Sequence, residues 1–189
     1  EAMAIAGYCI GASKGLVYIR AEYQLAIERI LIAIRQARDV GLLGTQIMGT
    51  TFDFDIEVRY GAGAFVCGEE TALIESMEGY RGEPRNKPPY PVVVGFKNKP
   101  TVVNNVETIA AVCPIVMMGG DEYAKIGIGR STGTKLISAS GHIKKPGVYE
   151  IELGLPVEEF IYSDEYCGGI INGRKLKAVV AGGSSVPIL

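Results

Sequence analysis

Two strand-like runs separated by one helix-like run fill the first sixty residues, and this order constrains the fold most. Leu16-Val-Tyr-Ile19 is a short apolar run typical of a buried strand. From Glu22 to about Asp39 the apolar residues recur at helical spacing, and Gly41 supplies a C-terminal stop. Residues 53–59, DFDIEVR, then alternate between polar and apolar, as a half-buried strand does. This order predicts a βαβ crossover, and therefore a parallel sheet in an α/β fold.

A glycine-rich stretch, GAGAFVCGEETAL, follows the second strand and leads into a helix predicted from Glu69 to Met77. Its position is that of a phosphate-binding loop, but its residues fit neither standard motif. Val66 stands where a dinucleotide-binding fingerprint has its third glycine, and Glu69 stands where a Walker A loop has lysine. Two interpretations stay open. The acids either complement the dipole at the start of a helix, or supply carboxylates that accept hydrogen bonds from the hydroxyls of a ribityl chain or a ribose.

The segment between Gly79 and Pro100 holds five of the nine prolines. Proline fixes φ and removes a backbone donor, so no regular element is expected there. The same segment carries cationic and aromatic residues, namely Tyr80, Arg81, Arg85, Lys87 and Tyr90. A long loop inside a domain is usually functional or disordered, and this composition favours an ordered loop that lines a site.

A further helix is predicted to begin at Asn104 or Asn105. Asparagine is a preferred N-cap, and Glu107 lies close to the reciprocal capping position. The helix is predicted to end at Gly119-Gly120. Its free amide hydrogens and positive dipole end make its start a candidate phosphate site, whereas the two glutamates of the glycine-rich stretch would repel a phosphate.

The pattern changes after a glycine-rich and polar linker over residues 121–133. Two strand-like runs, 135–140 and 147–153, flank Lys144-Lys-Pro-Gly147, whose composition is that of a hairpin. A short helix over 156–161 follows. These elements are typical of a small α+β module.

A last strand is predicted over residues 176–180. Hairpin, helix and strand together suggest a module of the ubiquitin-like β-grasp kind over residues 133–189. Residues 1–132 then form a separate α/β domain.

Charge and hydropathy exclude two classes of partner. The 189 residues carry a formal net charge of −2, which gives no electrostatic footprint for nucleic acid or an anionic membrane. The apolar runs are too short to span a bilayer, and the first residues lack the basic start of a signal peptide. We therefore expect no nucleic-acid partner, no direct membrane insertion, and a cytoplasmic location. The chain starts without methionine and in a helix-like segment, so we expect a domain of a longer polypeptide.

The cysteines and the single histidine do not predict a metal site. Cys9, Cys67, Cys113 and Cys167 lie far apart, without the close spacing of a zinc or iron–sulfur motif. We interpret them as reduced and mostly buried thiols. His142 falls in the predicted hairpin connection, and one histidine alone cannot hold a metal.

Long motifs of this chain carry a family resemblance. GAGAFVCGEETALIESMEGYRGEPRNKPPYP and KPTVVNNVETIA closely resemble the flavin- and NADH-binding subunit of respiratory complex I. The same subunit type serves NAD(P)-linked hydrogenases and formate dehydrogenases. The resemblance extends through IAGYCI, VYIRAEY, FDIEVRYGAGAF and AVVAGGSS, and so covers essentially the whole chain.

The resemblance implies where cofactors bind. FMN would lie against the glycine turn, with NADH stacked over the flavin ring. Glu69 and Glu70 would border the flavin and the nucleotide. The remaining cofactor-binding residues implied are Gly61, Gly63, Phe65 and Gly68 of the turn, Lys87 and Tyr90 of the nucleotide-facing loop, and Val103, Asn104 and Asn105 on the ribityl-phosphate side.

Two of these positions depart from the family. The Tyr90 position is commonly phenylalanine there, and the Phe65 position is commonly tyrosine. Both exchanges keep the aromatic ring, but Phe65 cannot make a hydrogen bond that a tyrosine hydroxyl would make.

The resemblance also implies a reaction and its partners. NADH would donate hydride to FMN, which passes electrons singly to an iron–sulfur cluster in partner subunits of a quinone- or hydrogenase-linked complex. No catalytic acid–base pair is expected, and the acidic pair is interpreted as positioning. The family's upstream FMN-binding segment should precede residue 1, and the cysteine motif for its [4Fe-4S] cluster should follow Leu189.

The implied architecture is a three-layer FMN/NADH-binding α/β domain followed by a β-grasp soluble-ligand-binding domain. The alternative from another class is a non-catalytic binding or scaffold module, as in electron-transport subunits of the Rnf type. The joint presence of GEE and VNNVET favours the dehydrogenase.

Overall fold

The two strand-like runs near the start of the chain pair in parallel, as predicted. In the computed structural model, which describes residues 1–189 except the side chain of Ser184, β1 (Lys14–Arg20) pairs with β2 (Asp55–Gly61). The register runs without a break from Lys14 opposite Asp55 to Arg20 opposite Gly61. The helix between the strands makes this a βαβ crossover, so the mixed α/β class is confirmed.

The chain divides into two units, Glu1–Cys113 and Pro114–Leu189. The regular helices up to the division are α1 (Ala2–Ile10), α2 (Gln24–Asp39), α3 (Glu70–Glu78), α4 (Val106–Ala110) and α5 (Val112–Met118), the last of which crosses it. Short 3₁₀ turns in the first unit cover Ile47–Gly49, Phe65–Gly68 and Phe96–Asn98.

The core of the first unit is apolar and lies between the sheet and α2. Its buried members are Ile34, Leu43, Ile47, Phe54 and Ile56. Helix α1 joins this core through Gly7, because any Cβ there would collide with the ring of Phe54. The strands are thereby fixed in place, and the end of β2 presents the glycine-rich stretch.

The helix predicted to run from Asn104 or Asn105 to Gly119 is two helices. It begins as predicted, with Asn105 as N-cap, but α4 ends at Ala110. Pro114 has no N–H to donate to the carbonyl of Ala110, so the helical ladder is interrupted there. The chain resumes as α5 and stops at Gly119, where φ is +90°.

The segment predicted as a linker, 121–133, contains short regular elements. Helix α6 (Gly120–Tyr123) is followed by a small antiparallel hairpin of β3 (Gly127–Ile128) and β4 (Ser131–Thr132). None of these elements was predicted. Polar and glycine-rich composition marks tight turns here as readily as it marks irregular chain.

The second unit is built on the predicted hairpin. Strands β5 (Thr134–Ala139) and β6 (Gly147–Glu152) pair antiparallel, and α7 (Val157–Tyr162) follows. Phe160 of α7 lies edge-on to Tyr149 of β6, with ring centroids 5.7 Å apart. The hairpin and the short helix are thus confirmed.

The strand predicted over 176–180 does not form. Only Val180 makes a bridge, with Ile188, and the backbone N–H of Leu176 donates to the hydroxyl of Tyr162. Among the described residues β5 and β6 pair only with each other, so this segment finds no strand to join. The β-grasp topology is therefore not confirmed. The division into domains at residue 132 stays a prediction.

Two further predictions concern the membrane and the cysteines. Within the described residues no helix is long and apolar enough to cross a membrane. All four cysteines are free thiols, and Cys67 and Cys167 are buried. Burial raises the pKa of Cys167. Cys9 is exposed at the end of α1, so the prediction of burial is wrong there.

Candidate functional site

The glycine-rich stretch forms a tight turn between β2 and α3, and the fold itself requires two of its glycines. A Cβ at Gly61 would lie 2.7 Å from the hydroxyl oxygen of Tyr18. Gly63 has a φ of +83°, in the left-handed region that favours glycine. Gly68 is different, because it has no positive φ and a Cβ there would meet no atom within 4 Å. Nothing in the described residues requires glycine at Gly68, and open space lies in front of it.

The turn directs one side chain inward and one outward. Cys67 is buried, and a Cβ at Gly82 would lie only 2.5 Å from its sulfur. Phe65 is 96% exposed. The ring of Phe65, which shares a 3₁₀ turn with Gly68, is therefore an apolar surface that the fold of the unit does not use.

Glu69 is the N-cap of α3. Its Oε2 accepts hydrogen bonds from the backbone N–H of Thr71 at 2.8 Å and of Ala72 at 2.9 Å, and from the Thr71 hydroxyl. Burial of the carboxylate raises its pKa, but the hydrogen bonds from Thr71, Ala72 and Lys87 outweigh burial. Together they lower the pKa of Glu69 from 4.5 to about 2. Glu69 therefore fulfils the helix-capping interpretation of the acidic pair.

Lys87 joins both glutamates. Its Nζ lies 3.0 Å from Oε1 of Glu69 and also pairs with Oε1 of Glu70. The hydrogen bonds to Glu70 and Glu69 raise the pKa of Lys87. Two carboxylates and one ammonium group leave one excess negative charge at the start of α3.

The proline-rich segment is held firmly against α3. The guanidinium of Arg85 pairs with Glu75 and with Oε2 of Glu78, the latter at 2.8 Å, and these side chains are mostly buried. The backbone N–H of Arg85 donates to the hydroxyl of Thr71 at 2.8 Å. The backbone N–H of Lys97 donates to Glu78 at 2.6 Å. These anchors order the loop that carries Lys87.

Tyr90 lies further along the same loop. Its carbonyl accepts from the N–H groups of Val93 and Val94 and so closes a turn. Its side chain is 55% exposed. The structure therefore places a second accessible aromatic ring on the segment that Lys87 joins to the acidic pair.

The residues of the VNN motif form a separate group. Oδ1 of Asn105 accepts from the backbone N–H of Glu107 at 2.8 Å and caps α4. Val103 is half-buried and Asn104 is exposed. In the part of the chain that the structure describes, no hydrogen bond or ion pair joins Val103, Asn104 or Asn105 to the glycine turn.

The site is an open surface rather than a closed cavity. A groove of about 550 Å³ runs along β2 and α2, where Arg38 and Asp55 pair at 2.9 Å. It contains none of the predicted cofactor-binding residues. Among the described residues no cluster of histidine, cysteine, aspartate or glutamate could hold a metal ion.

Sequence reasoning missed the role of two residues. Thr71 follows the acidic pair directly, and Arg85 was noted only as a cation of the loop. Their hydrogen bond links positions fourteen residues apart. The signal was a threonine in the first turn of a predicted helix, two residues after Glu69, but nothing in the spacing identified Arg85 as its partner.

Known proteins resemble this chain along its whole length. A family model described as the Nuo51 FMN-binding domain matches residues 1–114. The NADP-reducing hydrogenase subunit HndC of Solidesulfovibrio fructosivorans is 55% identical over 98% of this chain and 37% of its own length. The mitochondrial NADH dehydrogenase [ubiquinone] flavoprotein 1 of Dictyostelium discoideum is 45% identical over 100% of this chain and 39% of its own length.

A solved structure shares the fold. The crystal structure of an NAD⁺-reducing [NiFe]-hydrogenase in the H₂-reduced state superposes with a TM-score of 0.73 at 41% identity. The match covers 84% of this chain and 26% of that chain. The chain spans less than half the length of the curated relatives described above.

Proposed function

The chain belongs to the Nuo51 FMN-binding domain family, and we propose that it binds FMN and a nicotinamide nucleotide at the glycine turn before α3. The observation that carries the proposal is Gly68. Its missing side chain leaves open space that the protein does not fill, beside the exposed ring of Phe65 and next to the acidic pair. A flat aromatic cofactor with a hydroxylated chain fits these three features, because it needs backbone at close range, an apolar surface and hydrogen-bond acceptors.

The residues of this chain would bind FMN and the nucleotide and orient them. When bound, FMN supplies the redox chemistry, accepting a hydride from NADH and releasing electrons one at a time. Glu69 is committed to capping α3 through Oε2. Glu70 pairs with Lys87 through Oε1, and we assign to it the hydrogen bonds from a ribose. No proton transfer is assigned to either carboxylate.

The VNN motif would serve the ribityl-phosphate side of FMN. The side-chain oxygen of Asn105 is used in capping α4, so its amide NH₂ group is the part of the side chain that could donate to an anion. Asn104 is exposed and Val103 is half-buried. A neutral amide donor suits a phosphate that must stay apart from Glu69 and Glu70.

The parent reaction follows from the same family. The relatives are named as subunits of NADH-quinone oxidoreductases and of an NADP-reducing hydrogenase. We propose that this chain works in a multisubunit oxidoreductase of that kind, in the cytoplasm, with partner iron–sulfur subunits. Any [4Fe-4S] cluster would be held outside these 189 residues. We assign NAD(H) as the nucleotide, because a carboxylate accepts from the 2′-hydroxyl of a ribose and repels a 2′-phosphate.

The finer architecture belongs to this proposal as well. A three-layer arrangement over residues 1–132 is supported by the parallel pair β1–β2 with its crossover helix. A β-grasp soluble-ligand-binding domain over residues 133–189 is supported by the hairpin β5–β6 followed by α7. The scaffold-module alternative has no observation in its favour.

Flavin titration tests the proposal directly. The protein expressed with its full reading frame is stripped of flavin and titrated with FMN, and the quenching of flavin fluorescence is recorded. We expect one FMN per chain and loss of the flavin's visible absorption when NADH is added without oxygen. A protein that binds no FMN, or whose bound FMN is reduced by neither nucleotide, contradicts the proposal.

A further inference from the structure

We propose that Thr71 is a positioning residue of the nucleotide site: its hydroxyl fixes the Glu69 carboxylate and the loop that carries Lys87 in one arrangement. The inference rests on the proposed function and deepens it, because it names a residue that controls the acidic pair without touching the nucleotide.

Thr71 is buried and fully engaged. It is 1% exposed, and among the described residues it is the one polar residue that is buried. Its Oγ1 accepts from the backbone N–H of Arg85 at 2.8 Å and is bonded to Oε2 of Glu69. An amide N–H can only donate, and an ionised carboxylate can only accept. The threonine proton must therefore point at Glu69, and the direction of this hydrogen-bond chain is fixed.

The chain of hydrogen bonds closes on itself. From Oε2 of Glu69 it runs through the hydroxyl of Thr71 to the backbone of Arg85. Two residues later Lys87 returns to Oε1 of the same Glu69, at 3.0 Å. The loop is therefore connected to both oxygens of the Glu69 carboxylate. Of the three side chains in this circuit, Glu69, Thr71 and Lys87, that of Thr71 is the uncharged and buried one.

Loss of the hydroxyl would relax this circuit without releasing the whole loop. The guanidinium of Arg85 would still pair with Glu75 and Glu78. Glu69 would still cap α3 through the two backbone N–H groups. The change would fall on the relative placement of Glu69, Glu70 and Lys87. If the Thr71 hydroxyl contributed only to the stability of the fold, its loss would not displace these three groups in particular.

Two variants separate positioning from packing. Thr71→Val keeps the size of the side chain and removes the hydroxyl, whereas Thr71→Ser keeps the hydroxyl. The matched control is Thr50→Val. The Thr50 hydroxyl likewise makes one hydrogen bond as donor, to the carbonyl of Ile47 at 2.7 Å, and one as acceptor, from the N–H of Phe52 at 3.2 Å, but it lies outside the site. All three are made in the protein with its full reading frame, loaded with FMN.

Steady-state oxidation of NADH with ferricyanide gives the first readout. Loss of a hydrogen bond to a charged group weakens an interaction by about ten- to a hundred-fold. Because the lost hydrogen bond joins two protein groups and not the protein to the nucleotide, this factor is an upper limit. We expect the KM for NADH to rise several-fold in Thr71→Val, with kcat and FMN content near wild type. Thr71→Ser and Thr50→Val should keep the wild-type KM. An unchanged KM in Thr71→Val, or an equal rise in Thr71→Ser or Thr50→Val, would overturn the inference.

Acetylation of Lys87 gives a second readout that needs neither flavin nor turnover. The flavin-free protein is treated briefly with acetic anhydride, and modification is located by mass spectrometry. Lys87 should react faster in Thr71→Val than in wild type, Thr71→Ser or Thr50→Val. Equal rates would overturn the inference even if wild type oxidises NADH. A wild type that does not bind FMN contradicts the proposed function instead, and the labelling still decides whether Thr71 positions Lys87.

Discussion

The Nζ of Lys87 lies 3.0 Å from Oε1 of Glu69, so the middle of the proline-rich loop is tied to the N-cap of helix α3. The same ammonium group pairs with Glu70. The family resemblance implied that the glutamates border the flavin and the nucleotide and that Lys87 belongs to the nucleotide-facing loop, without any contact between them. The structure shows that they form one ionic group before any ligand arrives, which changes what substitution of each residue should do.

Removal of the Lys87 charge should weaken nucleotide binding more than folding. Lys87→Met leaves Glu69 and Glu70 unneutralised, and two carboxylates repel the diphosphate of NADH. Partly exposed ion pairs stabilise proteins by only about 0–1 kcal/mol, so the free energy of unfolding should fall by about that much. We expect a several-fold rise in the KM for NADH. Lys99→Met, an exposed lysine of the same loop, is the control, and equal effects of the two variants would contradict the assignment.

Glu70 should determine the preference between the two nucleotides. The cations of the proline-rich loop that could neutralise a 2′-phosphate are already paired: Arg81 with Glu83, Arg85 with Glu75 and Glu78, and Lys87 with the acidic pair. We expect the wild type to prefer NAD(H), and Glu70→Gln to narrow the ratio of kcat/KM for NADH over NADPH. Ferricyanide reduction with each nucleotide measures the ratio. Glu28→Gln, at an exposed glutamate of α2, is the surface control, and a ratio that stays the same in Glu70→Gln means that Glu70 does not contact the ribose.

Asn105 should retain FMN through its amide group rather than through its helix cap. Asn105→Ala removes both, whereas Asn105→Ser keeps an oxygen that can cap α4 and removes the NH₂ donors. We expect both variants to bind FMN about ten- to a hundred-fold more weakly than Cys67→Ala, in which only a packing side chain is shortened. Flavin content after desalting measures this. Wild-type retention in Asn105→Ser would reduce the role of Asn105 to capping.

The Glu69 carboxylate should contribute acid-sensitive stability. Because its folded pKa of about 2 lies below its ordinary value of 4.5, the ionised group stabilises the fold above pH 4.5, and that contribution is lost as the pH falls toward 2. The difference in unfolding free energy between wild type and Glu69→Gln should therefore be largest near neutrality and shrink on acidification. Urea unfolding across this pH range measures it, with Glu83→Gln as control. A difference that is constant with pH would show that the carboxylate is not held as described.

Hydrophobic periodicity and stop signals predicted those helices and strands whose formation depends mainly on neighbouring residues. The parallel pair β1–β2, the crossover helix α2 and the hairpin β5–β6 each have a clear period and a clear stop in the sequence. The break before Pro114 was missed, because a single helix was predicted through to Gly119, although proline has no N–H for the helical ladder. The absence of the strand over 176–180 could not be predicted, because a strand needs a partner and the choice of partner is not a local property.

In the site, too, local sequence predicted some features and not others. The GEE step showed that carboxylates open α3, and Asn105 showed that α4 begins with a cap. The pairing of Lys87 with both glutamates depends on how the proline-rich loop folds back, and no spacing rule gives that. The role of Thr71 could not be predicted either, because its partner Arg85 lies on the loop that folds back onto α3.

Gly68 gives the most direct test of the claim that a flavin lies against the glycine turn. Beyond the adjoining residues, a Cβ at Gly68 would meet no protein atom within 4 Å, and the same is true of Gly120, which was predicted to end a helix and not to contact a cofactor. We predict that Gly68→Val and Gly120→Val both unfold at the temperature of the wild type, and that Gly68→Val alone binds no FMN in a fluorescence titration. A Gly68→Val protein that folds and binds FMN with wild-type affinity would contradict the account.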